Sequence, residues 1–204
     1  MPSKRAYVSP LRQQAAVRTR EVILRRATEL LAERGYGRVT IADIASAAGV
    51  SSKTVFASVG SKGDILDRIV DEGVSASGYE QAMEHVLGLG TPEAVLHALA
   101  RGTRLGNESQ FTVHEAIRKA LPVHESADGL WARATAAYRE ALNAAARHLH
   151  GLTPPPRSSP QQTADLLWLW FGPTAWRTLV VESGWSWEQA EKTLYDTAVA
   201  ALYA

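Results

Sequence analysis

The sequence predicts an all-α protein, with an N-terminal three-helix helix-turn-helix domain, a larger C-terminal helical bundle, and about nine helices in all. Three observations carry this expectation. Ala, Leu, Glu and Arg dominate the stretches between breaks. No segment alternates apolar and polar residues with the period of two that a half-buried strand requires. Apolar residues instead recur at helical spacing, as at Ile23, Ala27, Leu30 and Leu31.

The elements follow in order from their start and stop signals. The first helix begins between Pro10 and Arg18 and stops at Gly35, a residue suited to a helix C-terminus. Thr40, with Asp43 three residues on, starts a second, short helix. Ser51 caps a third, and Ser61 with Asp64 repeats the capping logic for a fourth over 62–75. Gly88-Leu89-Gly90-Thr91-Pro92 is a break, with Thr91 as cap and Pro92 in the first turn of the next helix. That helix is expected to fade near Gly102–Gly106, and another covers 108–121. A long helix follows over 127–149, closing at Gly151, before the Pro/Ser-rich loop 153–159. A helix over 160–183, kinked at Gly172-Pro173, and a last one over 187–203 complete the chain. The expected organisation is a basic arm (1–17), a helix-turn-helix domain (18–71) and a ligand-binding and dimerisation domain (72–204).

Composition removes several classes of function. There is no cysteine, which excludes disulfides, thiolate metal sites and cysteine nucleophiles. No apolar run approaches the roughly 18 residues of a membrane span, and residues 1–10 lack the apolar core of a signal peptide, so a cytoplasmic protein without membrane partners is expected. The net charge of +1 conceals an asymmetry: residues 1–71 carry +5 and residues 72–204 carry −4. All five charges within residues 1–20 are positive (Lys4, Arg5, Arg12, Arg18 and Arg20). A basic front half suits a polyanion, because each cation placed on a phosphate releases condensed counterions. A solvated charged tail explains the same run without a partner.

The segment 40–56 carries the most specific signal. Two short helices that cross closely need a small residue at the contact, which Ala45 supplies, and a turn tolerant of positive φ, which Gly49 supplies. Ile44, Val50 and Val55 are spaced to fill the wedge between them. The third helix, capped by Ser51, would then present its N-terminal residues to base edges in the major groove. Any helical hairpin shares part of this pattern.

The run TIADIASAAGVSSKTVFASVGSKGDIL, preceded by ILRRATELLAERGYGRVT, resembles the N-terminal domain of TetR-type transcriptional regulators over about residues 18–66. The resemblance implies a DNA-binding set of Thr40, Ser51, Ser52, Lys53, Thr54, Phe56, Ser58 and Lys62. Thr40, Thr54 and Ser58 are short donors suited to phosphate oxygens. Lys62 stands where the family places a phosphate-contacting lysine. Lys53 can donate to guanine O6 and N7. Phe56 matches a family tyrosine but offers only apolar contact. Ala57, Ser58 and Val59-Gly60 depart from bulkier family residues, and Ala42 is too short to reach a base. Shape readout should therefore carry more of the specificity.

The resemblance further implies that helices within 92–150 and 160–183 enclose a small apolar or amphipathic effector, and that the last two helices form a homodimer interface. All six tryptophans lie after residue 130. Helical registers nominate Phe111, His114, Arg118, Trp131, Tyr138, Leu167 and Phe171 for the pocket, with His114 and Arg118 as a site for an anionic group, a pair that a solvated face explains as well. For any single tryptophan plain core packing is the better explanation. The fourth helix and the region of Gly73 would link pocket to reading head.

The expected function is thus a ligand-responsive repressor that binds a near-palindromic operator as a homodimer. The rival readings are a ligand-independent DNA-binding architectural protein and a helical enzyme. No cofactor, metal or catalytic residue is expected. His148-x-His150 on a helix points its rings about 200° apart, and no phosphate loop or nucleophile elbow occurs.

Overall fold

The structure, a computed structural model, describes residues 10–76, 78–125 and 127–204. These residues form α-helices without strands: α1 (Pro10–Arg34), α2 (Ile41–Ala48), α3 (Ser52–Val59), α4 (Lys62–Ser75), α5 (Tyr79–Leu87), α6 (Pro92–Ser109), α7 (Phe111–Arg118), α8 (Ala127–His150), α9 (Pro160–Phe171), α10 (Pro173–Arg177) and α11 (Trp187–Tyr203). A 3-10 turn, Tyr36–Arg38, separates α1 from α2, and a π-helical turn, Thr178–Glu182, follows α10. The bounds of α4 and α11 coincide with those read from their caps.

Two differences from the expected pattern have local causes. Residues 79–87 form α5, which starts after Gly78 in the left-handed region without a side-chain cap and so shows no start signal. The kinked helix of 160–183 is two α-helices: α9 closes at Phe171, and Gly172, in extended backbone, lets Pro173 open α10. The count therefore rises from about nine to eleven among the described residues.

The chain divides into two compact units. The first comprises residues through Glu72 together with Thr112–Trp131. In it α1 packs on both α2 and α3, which cross each other. Ile23, Leu24, Ala27 and Leu31 of α1 meet a core completed by Ile44, Val55 and Ile65, all buried. Residues 112–131 bring Ala116, Ile117 and Ala120 to this unit, also buried. Residues 11–18 of α1 are exposed throughout, with Leu11 and Val17 uncovered. Residues 1–9 of the expected basic arm, with Lys4 and Arg5, lie outside the described residues.

The second unit comprises Gly73–Phe111 and Ala132–Ala204. Here α6 packs along α11 and touches α5, α9 and α10. Its core is built from Leu96, Leu142, Leu149, Phe171, Trp176 and Leu202, among others. Phe171 is the hub: its backbone oxygen accepts from the Tyr138 hydroxyl and, at 3.1 Å, from the indole N–H of Trp176. This carbonyl belongs to the last turn of α9, where no helical partner exists, and the two side chains satisfy it. No described helix is long and apolar enough to cross a membrane.

Candidate nucleic-acid interface and ligand cavity

The helix-turn-helix is assembled by its caps. Thr40 and Asp43 form a reciprocal capping box: the Asp43 carboxylate accepts from the Thr40 N–H at 2.8 Å and its hydroxyl at 2.6 Å, and the Thr40 oxygen accepts from the Asp43 N–H at 3.2 Å. These bonds hold the Asp43 carboxyl below its ordinary pKa. Gly49, at φ 67° and ψ 31°, turns the chain out of α2. Ser51 then caps α3, its oxygen accepting from the Thr54 N–H at 3.1 Å and lying 2.9 Å from the Thr54 hydroxyl. Ser61 and Asp64 repeat the box at α4.

The consequence for α3 is a defined presentation. Val55 and Val59 are buried, whereas Ser51, Ser52, Lys53, Phe56 and Ala57 are exposed. The exposed Phe56 ring is 55% accessible, a large apolar surface beside polar neighbours. Two arginines close the opposite end: Arg20 Nε donates to the Ser58 carbonyl at 3.2 Å and Arg68 Nε to the Val59 carbonyl at 3.2 Å. Cations at a helix C-terminus satisfy orphan carbonyls and complement the helix dipole. Neither role was legible beforehand, because each pairs residues whose proximity only the fold creates.

The structure gives two of the expected DNA-contacting residues an internal task. The Thr40 hydroxyl proton is committed to Asp43, so the donors left at this corner are the first backbone N–H groups of α2. Lys62 Nζ donates to the carbonyls of Tyr36 and Val39, each at 2.9 Å, and lies 4.1 Å over the Tyr36 ring. Lys62 thereby fastens the start of α4 to the segment that leads into α2.

The residues nominated for a pocket fall into two groups, His114, Arg118 and Trp131 in the first unit and Phe111, Tyr138, Leu167 and Phe171 in the second. In the first unit, His114 meets Trp131 edge-on, 5.9 Å between ring centroids, and Arg118 is ion-paired with Glu115 at 2.9 Å. Burial lowers the His114 pKa to about 4, which keeps it neutral and unsuited to an anion. In the second unit, Phe111 packs edge-on against Trp187, and Leu167 and Phe171 are buried in the core. Of the seven, Tyr138 lines the cavity of the second unit.

That cavity, about 240 Å³ and half open, lies among α5, α6 and α8. Its lining is predominantly apolar and includes Met83, Val86, Leu99, Tyr138 and Leu142. His85, Arg101, Gly102 and Thr103 also line it. Its one signal in the sequence was Gly102, read together with Gly106 as a fading helix; α6 instead continues to Ser109. Among the described residues no cluster of His, Asp or Glu suited to a metal ion occurs.

Residues 23–69 match the family model described as bacterial regulatory proteins, tetR family. No curated protein matches the chain. Among solved structures, a transcriptional regulator from Saccharomonospora viridis in complex with choline is similar at a TM-score of 0.73 and 20% identity, covering 91% of this chain and 98% of that one. The regulator FadR from Bacillus subtilis, in complex with stearoyl-CoA, gives 0.70 at 13% identity, covering 90% and 99%. A TetR transcription regulator from Haloarcula marismortui gives 0.67 at 22% identity, covering 91% and 99%. Residues 23–69 thus carry a helix-turn-helix of the tetR-family type, and the chain shares the fold of these regulators along nine-tenths of its length.

Proposed function

We propose that the chain is a homodimeric repressor that binds a near-palindromic operator and is released by a small apolar or amphipathic effector. The observation that carries the reading is the α3 N-terminus, where Ser51, Ser52 and Lys53 stand exposed on a helix fixed at both ends. An α-helix presented in this way fits the major groove, and two-fold related copies engage half-sites roughly 34 Å apart. Ser52 and Lys53 meet base edges, Thr54 and Ser58 meet phosphates, and Phe56 meets a thymine methyl. The first N–H groups of α2 give Thr40's corner its own phosphate contact.

Dimerisation through helices 160–183 and 187–203 is supported by Leu169 and Val181, large apolar side chains left 64% and 47% accessible. The effector reading is supported by the cavity of the second unit, and by the choline and stearoyl-CoA held by the two similar structures. An effector releases DNA only through unequal affinity for the DNA-competent and incompetent states. The cavity supports this reading over a ligand-independent architectural protein, which has no use for one. Selection of duplexes from a random pool by the full-length protein, followed by sedimentation of the complex, tests the proposal. A near-palindromic site occupied by a multiple of two chains is expected; an asymmetric site bound by one chain contradicts it.

A further inference from the structure

We propose that the cavity among α5, α6 and α8 binds a medium-chain aliphatic carboxylate, with its tail between Leu99, Tyr138 and Leu142 and its carboxylate at Arg101 and His85. The inference rests on reading this cavity as the effector site, and adds to that reading the chemistry of the ligand.

The interior is suited to a tail because its polar groups are already engaged. The Tyr138 hydroxyl accepts from Asn107 Nδ2 at 3.0 Å and donates to the Phe171 carbonyl. The Thr103 hydroxyl donates to the Leu99 carbonyl at 2.7 Å. With these protons committed, the predominantly apolar lining gains most from burying methylenes, at roughly 0.8 kcal/mol each. A volume of about 240 Å³ falls just below the range of roughly 300–1,000 Å³ typical for drug-sized ligands, which favours a small one.

The charge of the lining has one sign. Among the described residues, His85 and Arg101 are the basic side chains that line it, both are exposed, and no carboxylate does. The two arginines of α6 differ: Arg104 pairs with Glu108 at 2.8 Å and Glu191 at 2.5 Å, whereas among the described residues no ion pair engages Arg101. A quaternary ammonium would need an aromatic cage or an acid, and among the described residues the lining offers one phenol ring, that of Tyr138.

Gly102 points the same way. It lies in the interior of α6, where glycine costs about 0.5–1 kcal/mol relative to alanine. Its φ is not positive, and a Cβ built on it would meet nothing within 4 Å. Neither backbone nor packing calls for glycine here; what it preserves is the open volume.

The test titrates the full-length protein with octanoate, octan-1-ol and octyltrimethylammonium by calorimetry. In parallel, binding to the selected operator duplex is followed with and without octanoate. Octanoate is expected to bind at least about tenfold more tightly than the other two. Arg101→Gln should remove that advantage, about tenfold, while leaving octan-1-ol unchanged, and Gly102→Leu should abolish binding of all three. Because Gly102→Leu can disturb α6, Arg101→Gln on the exposed rim decides independently. Equal or tighter binding of octyltrimethylammonium, an Arg101→Gln variant with unchanged octanoate affinity, or no octanoate binding at all overturns the proposal. Octanoate that binds without loosening the operator complex supports the ligand class while contradicting the effector reading, so the two fail separately.

Discussion

The His124 imidazole meets the Tyr36 ring edge-on, with 4.8 Å between centroids and 86° between planes. Tyr36 lies between α1 and α2, whereas His124 lies between α7 and α8, in the stretch Thr112–Trp131 that joins the first unit from between two stretches of the second. Lys119, nearby, donates to the carbonyls of Ala32 and Glu33 in the last turn of α1. The end of α1 and the lead into α2 are thus fastened by residues far along the chain.

An edge-to-face pair of this kind contributes about 0.5–1.5 kcal/mol. His124→Ala and Tyr36→Leu should each lower the urea midpoint, and a double-mutant cycle should return a coupling of at least about 0.5 kcal/mol. Strict additivity would show that the rings touch without stabilising one another.

Lys62 supplies a sharper case, because its two possible roles have different salt signatures. Removing its ammonium orphans the Tyr36 and Val39 carbonyls, and Lys62→Met should cost about 1–3 kcal/mol of stability. DNA affinity should fall for every duplex, with the slope of log K against log salt unchanged. A slope reduced by about 0.9 would instead place Lys62 on a phosphate.

Gly49 isolates a backbone effect. It is left-handed at φ 67°, yet a Cβ there would meet nothing within 4 Å. Gly49→Ala should therefore destabilise by about 1–2 kcal/mol through conformation alone, and equilibrium unfolding measures it. A neutral result would mean that the turn between α2 and α3 relaxes out of the left-handed region.

His114 predicts a pH dependence. Its imidazole is held to about 4 by burial, against 6.5 in the unfolded chain. Between these values the unfolded state binds the extra proton, so stability is full above pH 6.5 and falls as the pH drops towards 4. The loss reaches on the order of 3 kcal/mol at most. Denaturation curves at pH 7 and pH 4.5 should diverge for the wild type, and His114→Gln should narrow the gap. An equal gap in the variant would assign the acid sensitivity elsewhere.

Local signals carried the helix-turn-helix. Thr40, Ser51 and Ser61 announce their helices because a cap and its partner lie three residues apart, and Gly49 marks the turn because few residues take its conformation. The cavity was hidden for the opposite reason. Trp131 shares a helical register with the pocket-lining Tyr138 and Leu142, and His114 and Arg118 stand four apart on α7, but which face of a helix is buried, and against what, depends on packing between distant segments. Gly102 was visible yet was read as a helix end, since its significance lies in the empty space beside it.

The central claim, that the exposed start of α3 reads bases, is tested most directly by measuring Lys53→Ala against single-base variants of the selected operator by fluorescence anisotropy. The account predicts that discrimination collapses at one position per half-site, by about 1–3 kcal/mol, while preference elsewhere persists. A uniform loss across all variants, or no loss, would contradict it.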